Sequence, residues 1–176
     1  TITMLAMTAS CAGPIQTRIQ TQVAAPVTDH KQYRFTETPE QQSAAYQTAR
    51  TLVAQELGNR NLSQDDTALM LVQIAFADRP ASIAITAGKE EKQASVAIAK
   101  KREFLQSCED SEHRLTISIV HQADGAQIYS GSAAEYHCKG KFEDSLPHLV
   151  KAALSNLGAS PDGTVRTKIR TRSGVE

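Results

Sequence analysis

The chain contains no tryptophan, and only four phenylalanines and four tyrosines occur among its 176 residues. With so few aromatic side chains, the core must be built mostly from isoleucine, leucine, valine and alanine. The chain also has no surplus of charge, since 19 basic residues balance 19 acidic ones. Proteins that bind phosphate backbones usually carry a basic surplus, because each phosphate contact uses a lysine or arginine. We therefore expect no nucleic-acid partner.

A long hydrophobic run is absent from the N-terminus, where residues 2–9 form only a short apolar stretch. A helix needs about 20 apolar residues to cross a bilayer, so this stretch cannot span one. A short apolar segment that ends in small residues is typical of a secretory signal peptide. Because no methionine or basic residue precedes it, we expect residues 1–10 to be the remnant of such a peptide.

Cysteine is scarce as well, with three in the chain. Residues 8–11, Thr-Ala-Ser-Cys, resemble a lipobox, the site at which a bacterial signal peptide is cut before a lipid-bearing cysteine. The resemblance implies a mature protein that begins at Cys11, held by acyl chains that contribute about 0.8 kcal/mol per buried CH₂ group. Ala12 follows, where inner-membrane lipoproteins often have Asp, so we expect a periplasmic protein on the outer membrane. The alternative is a cytosolic protein with a chance Ala-Ser-Cys-Ala-Gly segment.

With the first cysteine lipidated, Cys108 and Cys138 form an even pair in a compartment that permits disulfides. We predict that they are bonded, which would stabilise the fold by roughly 3–4 kcal/mol through a loop of about 30 residues. A two-residue hairpin turn would place Cys138 opposite Ser111, three residues from Cys108, so the chain before Arg114 must curl. Two free thiols are the alternative.

Composition divides the chain into a folded part with a flexible segment on either side. Residues 14–28 are rich in Gln, Thr, Ala and Pro without hydrophobic periodicity, so residues 11–28 are predicted to be the lipid-attachment cysteine and a flexible linker. Residues 29–158 are predicted to form a single periplasmic domain, and residues 159–176 a flexible tail. Four basic residues of that tail are expected to be solvated rather than a binding site: Arg166, Lys168, Arg170 and Arg172.

The first half of the domain predicts a strand, a helix and a second strand. Residues 32–36 alternate polar and aromatic side chains, as a half-buried strand does. Thr38 can cap the helix, Pro39 suits its first turn, and Gln41 completes a capping box, while Gly58 ends it. Residues 67–77 alternate as a strand that is partly covered on both faces. Two strands joined by a helix predict a parallel, right-handed βαβ unit.

The second half predicts further strands and a closing helix. Residues 82–87, 94–99 and 115–119 have the composition of strands, and Asp124-Gly125 is a strong hairpin signal before a strand over 126–137. A last helix begins at Asp144 or Ser145 and ends at Gly158. We therefore predict an α+β fold with a mixed or antiparallel β-sheet and two α-helices packed on it, in the order βα-β-β-β-β-β-α.

Several of these features together resemble the DUF4136 family of uncharacterised bacterial lipoproteins. They are the lipid-attachment cysteine, an early strand with Tyr33-Arg34-Phe35, a first helix that ends at Gly58, and a late strand with Tyr129-Ser130-Gly131. Many relatives have Trp-Arg-Gly at the last position. The resemblance covers roughly residues 11–158 and implies no catalytic residues, because the family has no established activity.

No motif in the chain predicts a catalytic, cofactor or metal site. His113, His137 and the two later cysteines could imitate a zinc set only if strand ends converged, whereas structural zinc sites usually show closely spaced Cys or His pairs. The adjacent carboxylates at 65–66, 109–110 and 143–144 are more typical of solvated or helix-capping residues than of acid/base catalysis, which needs them across a cleft.

We therefore expect a lipid-anchored binding or scaffolding module of the cell envelope rather than an enzyme, with the membrane and an envelope protein as partners. Two alternatives stay open. One is a small periplasmic hydrolase with a carboxylate- or histidine-centred site, which needs convergent polar residues in a pocket. The other is a carrier that holds lipid or another small molecule in an apolar cavity between the helices and the sheet.

Overall fold

A computed structural model describes residues 14–27, 31–37, 43–87, 94–97, 99–102 and 108–173. It contains the helices α1 (Ala44–Gly58) and α2 (Phe142–Ala153). The strands in chain order are β1 (Ile15–Val23), β2 (Gln32–Phe35), β3 (Ser63–Gln64), β4 (Met70–Pro80), β5 (Ile85–Ala87), β6 (Ala94–Ala97), β7 (Ser111–His121), β8 (Gln127–His137) and β9 (Val165–Arg172).

The fold is α+β, as predicted. Seven strands form one mixed sheet in the order β3-β2-β4-β7-β8-β1-β9, with two helices packed on it, while β5 and β6 pair as a separate small sheet. β2 runs parallel to β3 and β4, and the other pairings in the described ranges are antiparallel. The parallel order predicted for the strands on either side of α1 is thus confirmed. In the described part of the chain, no helix is both long and apolar enough to span a membrane.

Aliphatic side chains dominate the core, as the scarcity of aromatic residues predicts. In β7, Leu115, Ile117 and Ile119 are fully buried, whereas Thr116 and Ser118 between them are partly exposed on the other face. Each fully buried aliphatic side chain contributes about 1.5–3 kcal/mol. The helices add their apolar faces to the same core, with Ala49, Val53 and Leu57 from α1 and Leu146, Leu149, Val150 and Ala153 from α2.

The predicted linker over residues 11–28 is wrong for most of its length, because β1 occupies Ile15–Val23 and pairs with β8 and β9. Alternate residues of β1 are buried, but two of them are threonines, Thr17 and Thr21. Isoleucine or valine therefore recurs only every fourth residue, and the period of two that marks a strand is hidden. The cysteine of this segment, Cys11, lies outside the described residues.

The predicted flexible tail over residues 159–176 is also wrong, since β9 pairs with β1 from Val165 to Arg172. The side chains of β9 are exposed except for Arg172, which is partly buried. An edge strand of this kind is held by backbone hydrogen bonds to its neighbour and carries no hydrophobic alternation. The domain therefore extends beyond the predicted limits of 29 and 158 at both ends.

Both helices begin at positions other than those predicted. The side chain of Ser43 caps α1 by accepting a hydrogen bond from the backbone N–H of Tyr46, whereas the predicted capping residues Thr38, Pro39 and Gln41 lie outside the described residues. α2 begins at Phe142, before the predicted Asp144 or Ser145, and its regular helix ends at Ala153, with turns continuing to Gly158. Gly158 has a φ of +91°, the left-handed conformation that favours glycine after a helix.

The hairpin between β7 and β8 has a longer turn than predicted. The backbone N–H of His121 donates to the carbonyl of Ala126, so four residues form the turn, with Gly125 at a φ of 68°. A β-bulge at Ile119 and Val120 shifts the register once more. Ser111 therefore pairs with His137 rather than standing opposite Cys138.

A close contact between β8 and the end of α2 explains the sequence Tyr129-Ser130-Gly131. A Cβ atom on Gly131 would lie 1.9 Å from the carbonyl oxygen of Ala153, so only glycine lets the helix approach so closely. The buried Tyr129 hydroxyl donates a 2.5 Å hydrogen bond to the same oxygen. Burial raises the pKa of Tyr129 to about 12, so the hydroxyl keeps its proton in neutral solution.

The variant Gly131→Ala is expected to lower the free energy of unfolding by about 3 kcal/mol or more, because overpacking usually costs about 1–3 kcal/mol and here the clash is with backbone. Urea denaturation at neutral pH measures the change. The control is Gly58→Ala at the end of α1, where a Cβ atom meets nothing within 4 Å. It should be neutral or stabilise by up to about 1 kcal/mol, and equal losses in both variants would contradict the packing argument.

Candidate functional site

Five strand ends meet at one end of the sheet, which we call the Ile15 end. The register places Ile15 beside Arg172, His137 beside Ser111, and Ser111 beside Pro80. The lipidation candidate Cys11 precedes Ile15 by four residues. The buried glutamate and histidine side chains of the described chain gather at this same end, which makes it the candidate functional site.

A buried carboxylate, Glu135 of β8, organises the helix-bearing face at the Ile15 end. Arg172 of β9 holds both of its oxygens, from Nε at 3.1 Å and from Nη2 at 2.7 Å. The hydroxyl of Thr17 in β1 donates to Oε1 at 2.6 Å, and Nε2 of His137 lies 3.0 Å from Oε2. Because Glu135 is 0% exposed, these four contacts replace the water that the carboxylate loses on folding.

Ser145 of α2 connects this carboxylate to a second histidine. Its Oγ lies 3.1 Å from Nε2 of His137 and 2.7 Å from Nδ1 of His113, and the two imidazole rings stack at 4.5 Å. One assignment of protons satisfies all the contacts. Nε2–H of His137 is shared between Glu135 and Ser145, and the Ser145 hydroxyl donates to His113.

The pKa values of two members of the network, Glu135 and His113, both lie below their usual values. Burial raises the pKa of Glu135, but the hydrogen bonds from His137, Arg172 and Thr17 outweigh it and bring the pKa to about 2. Burial is the main reason that the pKa of His113 lies below its usual value, and the adjacent His137 acts in the same direction. A charged Glu135 beside a neutral His113 is the state that this folded arrangement favours.

The arrangement does not favour the hydrolase alternative. Ser145, His113 and Asp78 have the residue types of a nucleophile, a base and an acid, but His113 Nε2 lies 3.8 Å from the Asp78 carboxylate, beyond hydrogen-bond length. Ser145 is only 1% exposed, so a substrate carbonyl cannot reach its hydroxyl in this conformation. The two partners of His137 share one ring nitrogen, so that imidazole cannot pass a proton from one side to the other.

A second buried carboxylate, Glu112 of β7, lies on the opposite face of the sheet. It forms ion pairs with Arg18 at 2.6 Å, Arg79 at 3.0 Å and Arg114 at 3.0 Å. Burial raises its pKa, and the three guanidinium groups outweigh that effect and lower it. Arg18 also stacks 4.0 Å over the ring of Tyr136. This cluster joins β1, β4 and β7 near the Ile15 end.

The predicted disulfide is present, since Cys108 and Cys138 are bonded with their Cα atoms 5.7 Å apart. The shifted register helps to explain the pairing, because Cys138 follows His137, the partner of Ser111, so its extrapolated partner is Asp110 rather than Ser111. Cys108 is then two residues away instead of three. The bond ties the start of β7 to the end of β8 at the Ile15 end.

Several of the adjacent carboxylates singled out in the sequence have structural roles. Asp65 accepts hydrogen bonds from the backbone and side chain of Thr67, and Asp110 pairs with Lys100 at 2.5 Å. Glu143 and Asp144 lie in the first turn of α2, where a carboxylate is favoured by the helix dipole. Within the described ranges, no group of three or more His, Cys, Asp or Glu side chains could hold a metal ion.

Sequence reasoning missed Glu135, Ser145, Arg172 and Glu112 as a connected set. One signal was available for Glu135, because it occupies an inward position of β8 in line with Tyr129, Gly131 and Ala133. A charged residue in such a position needs a buried partner. The partner on β9 could not be identified, since that strand was not recognised.

Comparison with known proteins gives the fold and little else. No protein-family model matches the chain, and no curated protein matches it. A PDZ domain protein from Parabacteroides distasonis is similar in structure, with 14% identity and a TM-score of 0.56 over 90% of this chain and 40% of that one. The chain thus spans less than half of that protein's length. The PelC dodecamer from Paraburkholderia phytofirmans shows 12% identity and a TM-score of 0.47 over 82% of this chain and 99% of that one.

Replacement of Arg172 by methionine is expected to destabilise the fold by about 2–3 kcal/mol. Removing one partner of a buried ion pair costs about 3–5 kcal/mol, and the loss should be smaller here because the Arg172 side chain is 24% exposed. Arg170→Met is the matched control, since Arg170 lies on the same strand, on the same face, and is exposed. Chemical denaturation at neutral pH compares them, and equal stability of the two variants would contradict the role of Arg172.

Stability should also fall with acidification through the titration of Glu135. Its pKa is 4.5 when unperturbed and about 2 in the folded protein, so its contribution is complete above about pH 4.5 and is lost as the pH falls towards 2. Glu135→Gln should be less stable than the wild type at neutral pH. Between pH 4.5 and pH 2, its free energy of unfolding should fall by roughly 3 kcal/mol less than that of the wild type. Thermal unfolding across this range tests it against the exposed control Glu109→Gln, which should retain the wild-type slope.

Proposed function

We propose that the protein is a lipid-anchored periplasmic lipoprotein that acts as a binding or scaffolding module of the cell envelope. The observation that carries the proposal is the distribution of the three cysteines. Cys108 and Cys138 are bonded to each other, and disulfides persist mainly in oxidising compartments such as the periplasm. The third, Cys11, lies in the lipobox-like segment directly before the domain.

The DUF4136 resemblance belongs to the same proposal. The residues that carry the resemblance each have a structural role in this chain. Tyr33 and Phe35 are buried in β2 with their rings edge to face at 5.4 Å. Gly58 is the last residue of α1, and Gly131 makes the close contact with α2.

The position of β1 changes how the anchor would work. A flexible linker of about 17 residues was expected, but Cys11 precedes the first strand by only four residues. Four residues reach at most about 14 Å when fully extended. A lipid on Cys11 would therefore hold the Ile15 end close to the membrane surface, instead of letting the domain range through the periplasm.

Tethering of this kind favours a scaffold over a mobile binder. The disulfide and the two carboxylate clusters link the strands at the Ile15 end, which is the end nearest the proposed anchor. The surfaces left for an envelope partner are the sides of the domain and its far end. Among them is the outer edge of β9, which presents exposed Val165 and Ile169 on one face and a row of basic side chains on the other.

The carrier alternative has one observation in its favour. A hollow beside the start of α1 is lined by Tyr46, Ile74 and Phe76 among other residues, and the buried Tyr46 hydroxyl has no hydrogen-bond partner in the described structure. A small amphipathic molecule could occupy such a site. Native mass spectrometry of freshly purified protein would detect a co-purified ligand of this type, and a ligand-free spectrum would count against the carrier.

The test of the anchor is the variant Cys11→Ser, made in the native precursor and expressed in its own cells. Wild-type protein should incorporate radiolabelled palmitate and sediment with the outer membrane, whereas Cys11→Ser should incorporate none and be absent from the outer-membrane fraction, because the acyl chains supply the attachment to that membrane. Ser10→Ala, which keeps the cysteine, is the control and should remain in the membrane. Unacylated wild-type protein in the cytosol would contradict the proposal. Crosslinking in intact cells tests the binding role separately, because a scaffold should reproducibly crosslink to another envelope protein.

A further inference from the structure

The chain leaves the sheet at the Ile15 end to form the β5–β6 hairpin. β4 ends at Pro80, and the next residue, Ala81, donates a 2.8 Å backbone hydrogen bond to Asp110. The chain returns at Lys100, whose backbone N–H donates to the carbonyl of Ala81, also at 2.8 Å. The Arg79 guanidinium in turn donates to the carbonyl of Ile83. The base of the hairpin is therefore fixed to the Ile15 end by backbone contacts.

The base of the hairpin combines exposed aliphatic and basic side chains. Ile83 is 53% exposed and Ile85 is 39% exposed, although both would be expected in a core. On the returning chain, Lys101 and Arg102 are exposed, and Lys100 pairs with Asp110 while its ammonium lies 5.2 Å from the ring centre of Tyr136. We call the four exposed residues, Ile83, Ile85, Lys101 and Arg102, the root surface.

We propose that the root surface rests on the anionic headgroups of the membrane that carries the anchor. This inference depends on the proposed function, since it takes the lipid on Cys11 as the tether. Aliphatic side chains flanked by lysine and arginine are the composition that binds the membrane interface, where the apolar groups enter the headgroup region and the cations face anionic lipid.

The short tether selects lipid over a protein partner as the occupant. The root surface and Ile15 lie at the same end of the sheet, and the four residues from Cys11 to Ile15 span at most about 14 Å. The root surface is thus kept near the bilayer at a high effective concentration, so individually weak contacts suffice to dock it. The domain would then stand with Leu69 and the β7–β8 turn directed away from the membrane.

A single tryptophan can report this orientation, because the chain contains none. Cys11 is the only cysteine outside the disulfide, so the purified chain can be coupled through Cys11 to maleimide-bearing lipid in vesicles of phosphatidylglycerol and phosphatidylethanolamine. Brominated acyl chains in the vesicles quench tryptophan that enters the interface. Ile83→Trp is the reporter, and Leu69→Trp, 54% exposed at the opposite end, is the matched control.

Coupling to brominated vesicles should reduce Ile83→Trp fluorescence about twofold or more, since a docked side chain enters the outer 5–10 Å of the bilayer, and should leave Leu69→Trp unchanged. Equal quenching of both, or quenching of neither, would overturn the root surface as a membrane contact. In the Ile83→Trp background, Lys101→Glu should weaken quenching because it removes attraction to anionic lipid, whereas Lys151→Glu, an exposed residue near the end of α2, should not.

The chemical tether separates this inference from the proposed function. Coupling through maleimide does not require the cell to acylate Cys11. If the protein is acylated in cells but the two tryptophan reporters are quenched equally on vesicles, the anchor is supported and the root surface is rejected as a membrane contact. Quenching specific to Ile83→Trp together with unacylated Cys11 in cells would reject the anchor and retain an affinity of the root surface for lipid.

Discussion

The structure depends on how the protein compensates one buried charge, the carboxylate of Glu135. A carboxylate at this depth is tolerated only when other groups replace its water, and four side-chain contacts from three residues do so. Those residues lie on β1, β8 and β9, and Ser145 extends the network to α2. The charge therefore requires that the first and last strands of the described chain lie in the same sheet. Without Arg172 in β9, Glu135 would lose the guanidinium that holds both of its oxygens.

The same end of the sheet carries the other strong constraints. The disulfide closes β7 onto β8, and Glu112 gathers three arginines on the opposite face. Buried ion pairs add little net stability compared with apolar packing, but they fix one arrangement of the strands that hold them. The far half of the sheet instead depends on aliphatic packing between β7, β8 and the helices. The Ile15 end is thus held by polar and covalent links, which is consistent with the anchor proposed at Cys11.

Sequence patterns predicted the parts of the fold whose apolar residues recur with a clear period. β2, α1, β4, β7, β8 and α2 all follow such patterns, and the α+β class and the disulfide follow from them and from the cysteine count. The register between β7 and β8 could not be predicted, because the turn has four residues and the β-bulge opposite Ile119 and Val120 adds a residue to β8. Neither feature leaves a mark in the hydrophobic pattern. The helix starts at Ala44 and Phe142 were equally hidden. Ser43 competes with other possible caps before α1, and the N-cap of α2 is Lys141, which makes no side-chain capping bond.

The sequence alone determined the fold class, the central strands, the cysteine pair and the absence of any recognisable catalytic motif, because these depend on local periodicity and on residue counts. Only the tertiary structure decided that residues 15–23 and 165–172 are strands rather than flexible segments. β1 buries threonines between its aliphatic residues, and β9 buries almost nothing. Each is stable as a strand chiefly because backbone hydrogen bonds and the Glu135 contacts join it to a neighbour distant in the chain, and no local pattern records such a partner.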